Sequence, residues 1–87
     1  MPIICTFYGI KILMFFLDHN PPHFHVVYGE FKAVVDIQTL EILKGELPNR
    51  ALILVKDWAS IHIDELLQNW YYCQKEPEKV FKILPLV

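Results

Sequence analysis

Positive charge, cysteine and apolar runs long enough for a bilayer are all scarce in this chain. Its 87 residues carry eight lysines and arginines against ten aspartates and glutamates, a formal net charge of −2. A strongly basic domain is the usual footprint of nucleic-acid binding, so no global attraction to nucleic acid is expected, though a local basic strip is compatible with this balance. The longest apolar run, residues 12–17, falls far short of the ~20 residues that a membrane span needs. The two cysteines, Cys5 and Cys73, lie near opposite ends without metal-type spacing. Met1-Pro2 leads straight into fold-like sequence with no charged leader and cleavage site. The expectation is therefore a cytoplasmic protein with two reduced, buried thiols and no membrane association. Repeats, low-complexity tracts and linkers are absent as well.

What the chain does have is apolar surface: 54% of its residues are hydrophobic and 14% aromatic, with a mean hydropathy of +0.31. Its length suits one domain spanning residues 1–87. A small sphere has more surface than interior, so some apolar side chains must face outward, and contiguous apolar surface marks contact with another chain. A homo-oligomer or a dedicated partner protein is expected.

The first half reads as strands. Residues 3–8 and 10–17 are β-branched and aromatic runs parted by Gly9, and residues 23–28 and 31–37 are parted by Gly29-Glu30. Glycine at the first central position is what a two-residue type II′ turn requires. A short fifth strand is expected at 40–43. From Pro48 the period changes: Ala51, Leu54, Val55, Trp58, His62, Leu66 and Trp70 recur at helical steps. Residues 48–76 are expected to form one kinked helix or two, with Ser60 as a cap for the second, ended by Pro77. Leu52 and Ile53 make its start apolar nearly all round, as in a helix that is either deeply buried or shared with another subunit. Residues 80–84 are expected as an edge strand. The fold class is α+β, an antiparallel sheet of four to five strands with helix on one face.

The stretch DHNPPHFHVVYGE, residues 18–30, holds three of the four histidines. Pairing Tyr28 with Phe31 across the turn places His25 opposite Val34 and His23 opposite Asp36. Side chains alternate at period two, so Phe24, Val26, Tyr28, Phe31, Ala33 and Val35 share one face, and His23, His25, Val27, Lys32, Val34 and Asp36 the other. A one-residue slip would drive Lys32 and Asp36 into the apolar face, which burial opposes. His19, just before Pro21-Pro22, is placed to fold back over the histidine face.

Three readings of this constellation stand side by side. His23 and His25 act as acid and base with Asp36 fixing the tautomer, Lys32 and Asn20 binding substrate, and a phosphodiester as the target. Alternatively His19, His23, His25 and Asp36 hold a divalent metal such as zinc, although no standard signature is matched. Or the histidines are structural, His19 supporting the turn and Asp36 satisfying His23. Asp18 and Asn20, beside the prolines, read as ordinary turn formers. His62 reads as a core or interface histidine, Trp58 and Trp70 as core anchors, and Asp64-Glu65 as a solvated face.

Across TFYGIKILMFFLDHNPPHFHVVYGEFKAVVDI and LPNRALILVKDWASIHIDELLQNW, the chain resembles a family of small bacterial domains of unknown function. The family signature D-H-N-P-P-H-F-H-V-x-Y-G-E is matched without a break from Asp18 through Glu30. Members are often encoded beside a second small domain, and the pair has been proposed as a toxin–antitoxin system with this family as the toxin. The resemblance thus implies a cytoplasmic bacterial toxin-like component with a cognate antitoxin-like partner; it implies no catalytic residue, and action on nucleic acid through the histidines is expected from the residues themselves. The alternative is a non-enzymatic protein–protein interaction module with a structural histidine-rich turn. The chain departs from the family pattern in its more apolar helix, Leu52 to Val55, and its hydrophobic tail.

Overall fold

Two tight turns set the sheet. In the computed structural model, which describes residues 2–86, Tyr8 and Gly9 both have positive φ (50° and 80°), the requirement of a type I′ turn. They join β1 (Ile3–Phe7) to β2 (Ile10–Leu13). Gly29 has φ 59° while Glu30 does not share the positive value, which matches the expected type II′ turn between β3 (His23–Tyr28) and β4 (Phe31–Asp36). With β5 (Ile42–Gly45) the strands form one antiparallel meander in the order β1-β2-β3-β4-β5. The β3–β4 register is the expected one, from Tyr28 opposite Phe31 to His23 opposite Asp36.

Helices α1 (Asn49–Ser60) and α2 (Ile63–Lys75) follow, so the fold is the α+β arrangement read from the sequence. The helices cover the sheet face that carries Ile4, Phe7, Ile10, Ile12, Phe24, Val26 and Val35, all buried. Trp58 of α1 is fully buried there, 5.5 Å from the Phe7 ring and edge-on to Phe24 at 6.0 Å. The helical region is broken at Ile61-His62 rather than kinked. Ser60 does not cap α2; its hydroxyl donates back to Asp57 O. The reach to the third residue of α2 comes instead from His62, whose Nδ1 lies 2.5 Å from Glu65 Oε1.

Three boundaries differ from expectation. β2 stops at Leu13, short of residue 17. The chain there leaves the sheet for α2, where the Leu17 amide donates to Cys73 O, one of the carbonyls that a helix end leaves unpaired. β5 is shifted two residues along, since Leu40 sits in the turn with φ 61°. Residues 80–84 form no strand. Side chains hold that tail: Asn69, fully buried, donates to Phe81 O and accepts from Phe81 N, Trp58 Nε1 donates to Leu84 O, and only Ile83 bonds β1, at Ile4 O. No helix is long and apolar enough to cross a membrane among the described residues.

Candidate functional site

The uncovered face of the sheet is built by the same alternation that fills the core. Phe24 and Val26 point into the core, so His23 and His25 point to the other side, their rings 5.2 Å apart. Residues 14–22 loop from β2 to β3, and this loop returns Asp18 to the two histidines. Asp18 Oδ2 lies 2.8 Å from His23 Nε2 and 3.2 Å from His25 Nε2. Its other oxygen, Oδ1, accepts from the His19 amide at 2.9 Å. The Pro21 carbonyl accepts from His23 Nδ1 at 2.7 Å. Aromatic walls fix the rings: Trp70 of α2 stands 5.0 Å from His23, and Phe15 packs edge-on to His25 at 4.0 Å.

Electrostatics follow from this packing. Burial alone would raise the Asp18 carboxyl. Hydrogen bonds from the His19 amide, His23 and His25, with the charge of His23, outweigh burial and hold the group at about 2. Burial pushes His25 below its ordinary value; the bond to Asp18 opposes that shift and the charge of His23 reinforces it. Asp18 is thus a carboxylate at any physiological pH. His23 is enclosed by acceptors, a carbonyl on Nδ1 and a carboxylate on Nε2. A doubly protonated ring satisfies both, and so does a cation seated on Nε2.

Beside the cluster runs a groove of about 440 Å³ lined by Leu13, Phe15, His25, Val27, Lys32, Val34 and Lys44, among others, with no carboxylate in its walls. The register explains it. Leu13, His25, Val34 and Lys44 form one row across β2 to β5, and Lys11, Val27 and Lys32 the next. Gly45 lets β5 close on β4 here. A Cβ at Gly45 would lie 2.1 Å from Lys32 O, and its φ of 82° suits glycine alone. His25 belongs to both the cluster and the groove.

The sequence-derived candidates divide. His23 and His25 are brought together, and Lys32 lies on their face. Asp36 is not part of the cluster although it sits opposite His23 as expected. Its Oδ1 accepts from the amides of Gln38 (2.7 Å) and Thr39 (3.0 Å), closing the turn into β5. A buried aspartate beside free turn amides is captured by them, as short polar side chains are in turns. Asp36→Ala should therefore cost about 1–3 kcal/mol through two stranded donors, measured as a lower urea midpoint at unchanged slope. His19 is exposed, and only its backbone joins the cluster. Asn20 is exposed too, in a cleft with Asp18, Trp70 and Gln74. Sequence reasoning missed Asp18, Phe15, Trp70 and Lys44. For Asp18 the available signal was its place five residues before His23 in a loop that must reverse direction.

No curated protein and no solved structure matches the chain. A family model matches residues 9–71, a span that takes in the whole loop from β2 to β3, the cluster and the groove strands up to α2. The chain belongs to the DUF4160 family, a domain of unknown function.

Proposed function

We propose that the protein is the toxin-like component of a bacterial toxin–antitoxin pair and acts on nucleic acid at the Asp18–His23–His25 cluster. The observation that carries this reading is His25, which joins an acid–base cluster to a lysine-flanked groove. A phosphodiester backbone laid on Lys32 and Lys44 meets the His25 imidazole at one end of the groove, with His23 buried behind it and joined to it through Asp18. In RNA cleavage one group takes the proton of the attacking hydroxyl as its oxygen bonds phosphorus. A second gives a proton to the oxygen released when the other P–O bond breaks. Histidine is the side chain suited to both roles near neutrality. The overall charge of −2 does not oppose this, because the charge that matters is local: Lys32 and Lys44 form no ion pair among the described residues.

Ile53, Ile61 and Leu84, exposed by 57%, 69% and 76%, favour a partner surface. In the toxin reading a cognate antitoxin-like chain or a second copy covers it. In the competing reading this surface is the whole function, and the protein is a non-enzymatic interaction module. Expression without the neighbouring gene separates the two. Wild type should arrest bacterial growth, and His23→Ala, His25→Ala and Asp18→Asn, still folded by circular dichroism, should not. Identical behaviour of all four would leave the interaction module.

A further inference from the structure

The geometry points to a divalent metal site made of Asp18 Oδ2, His23 Nε2 and His25 Nε2, of the two-imidazole, one-carboxylate class that holds zinc with a position left open. Binding is a property of the three side chains alone and does not depend on the functional reading above; an ion on both Nε2 atoms would put a metal centre in place of the imidazole acid–base pair at the same site. It also differs from the ligand set suggested by sequence, as Asp18 replaces both His19 and Asp36.

The three ligand atoms lie within 4.8 Å of one another. Zinc bonds of about 2.0–2.1 Å in a tetrahedral arrangement separate neighbouring ligand atoms by roughly 3.3 Å. Asp18 Oδ2 already stands 2.8 Å and 3.2 Å from the two nitrogens, so two of the three separations match a bound ion to within about half an ångström, and the two imidazoles complete the site by closing toward each other. The surrounding shell is in place as well. His23 Nδ1 donates to Pro21 O, the bond by which a ligating histidine fixes its tautomer and aims its other nitrogen at the metal. Asp18 Oδ1 is held by the His19 amide, which leaves Oδ2 as the ligand atom. Trp70 and Phe15 block rotation of the rings.

Without an ion, both Nε2 atoms converge on a single oxygen, and each must carry a proton to bond it. One divalent ion satisfies all three atoms through their lone pairs. On the α2 side, Gln74 Nε2 is buried without a hydrogen-bond partner among the described residues, in the cleft it shares with Asp18. It offers a donor to a water or anion bound there. Two neutral imidazoles and one carboxylate leave a divalent ion with one net positive charge, at the His25 end of a groove already flanked by Lys32 and Lys44. Such a centre favours an anionic ligand, and a phosphate oxygen is one.

Chelator-treated wild-type protein titrated with Zn²⁺ by calorimetry tests the site, with Co²⁺ absorption as a spectroscopic report of nitrogen and oxygen ligation. One zinc per chain is expected, and zinc at about a hundredfold above Kd should raise the unfolding midpoint by roughly 15 °C. Asp18→Asn and His25→Ala should weaken binding by more than the ~10–100-fold that loss of an outer partner costs. His19→Ala and His62→Ala, outside the ligand set, should leave it within about twofold. Wild type that shows no saturable one-to-one binding would overturn the proposal, whatever the variants do. So would full zinc affinity in a folded His25→Ala variant, which serves if Asp18→Asn fails to fold, or loss of affinity on replacing His62.

Discussion

Trp58→Ala should bring the domain to the edge of unfolding at room temperature. Truncating a buried tryptophan costs about 3–5 kcal/mol, and at ~0.05–0.15 kcal/mol per residue a chain of this size has about 4–13 kcal/mol in all. Trp58 is an upper-end case. It is fully buried, contacts Phe7 and Phe24 across the sheet and His62 at the helix break, and its Nε1 holds the tail at Leu84 O. Urea unfolding followed by circular dichroism should show the loss as a lowered midpoint. Trp58→Phe separates the two contributions, keeping most of the ring contact while leaving the Leu84 carbonyl without its donor. That variant should lose about 1–3 kcal/mol. The effect reaches the site because Phe24, which Trp58 supports, lies between His23 and His25 on β3. A strand that loosens on its core side no longer holds the two imidazoles in step on the other.

The hairpin was legible because two independent constraints agreed on it. Gly29-Glu30 demanded a two-residue turn, and the apolar alternation of β3 and β4 tolerated one register only. That register put His23 and His25 on one face, and the structure keeps them there. The identity of their carboxylate was not legible from the same arithmetic. Register places Cβ atoms, whereas a carboxylate goes where unpaired donors are. At Asp36 the donors are the amides of Gln38 and Thr39; at Asp18 they are two imidazoles and the His19 amide. Both aspartates precede turns, so residue type could not rank them. Lys44 was lost for a different reason. Placing the fifth strand at residues 40–43 left it out, because the apolar pair Leu40 and Leu43 suggested strand while Leu40 in fact takes a left-handed turn conformation. Propensity is a weak guide where a short strand follows a turn. The tail failed similarly: apolar residues at 80–84 are anchored by Asn69 and Trp58 side chains rather than by ladder bonds, and no periodicity announces such anchors.

Lys32→Gln together with Lys44→Gln should flatten the salt dependence of single-stranded RNA binding. Each phosphate neutralised on a single strand contributes about −0.7 to the slope of log affinity against log salt. Two lost contacts therefore reduce the slope by about 1.4. Between 50 and 200 mM salt, wild type should lose roughly sevenfold more affinity than the double variant. Fluorescence anisotropy with a labelled oligonucleotide at a series of salt concentrations reads this directly. Both lysines are exposed and outside any ion pair among the described residues, so the replacements should change stability by no more than about 0.5 kcal/mol. Equal slopes for the two proteins would mean that the groove does not carry the backbone. Lys56 on α1 and Lys82 in the tail, both exposed, supply the matched control, because they lie outside the groove walls and a purely nonspecific attraction would respond to any two lysines alike. The outcome turns on where the charge is placed rather than how much there is. A chain with net charge −2 can hold a polyanion only where cations stand together without acids between them, and the sheet face beside His25 meets that condition.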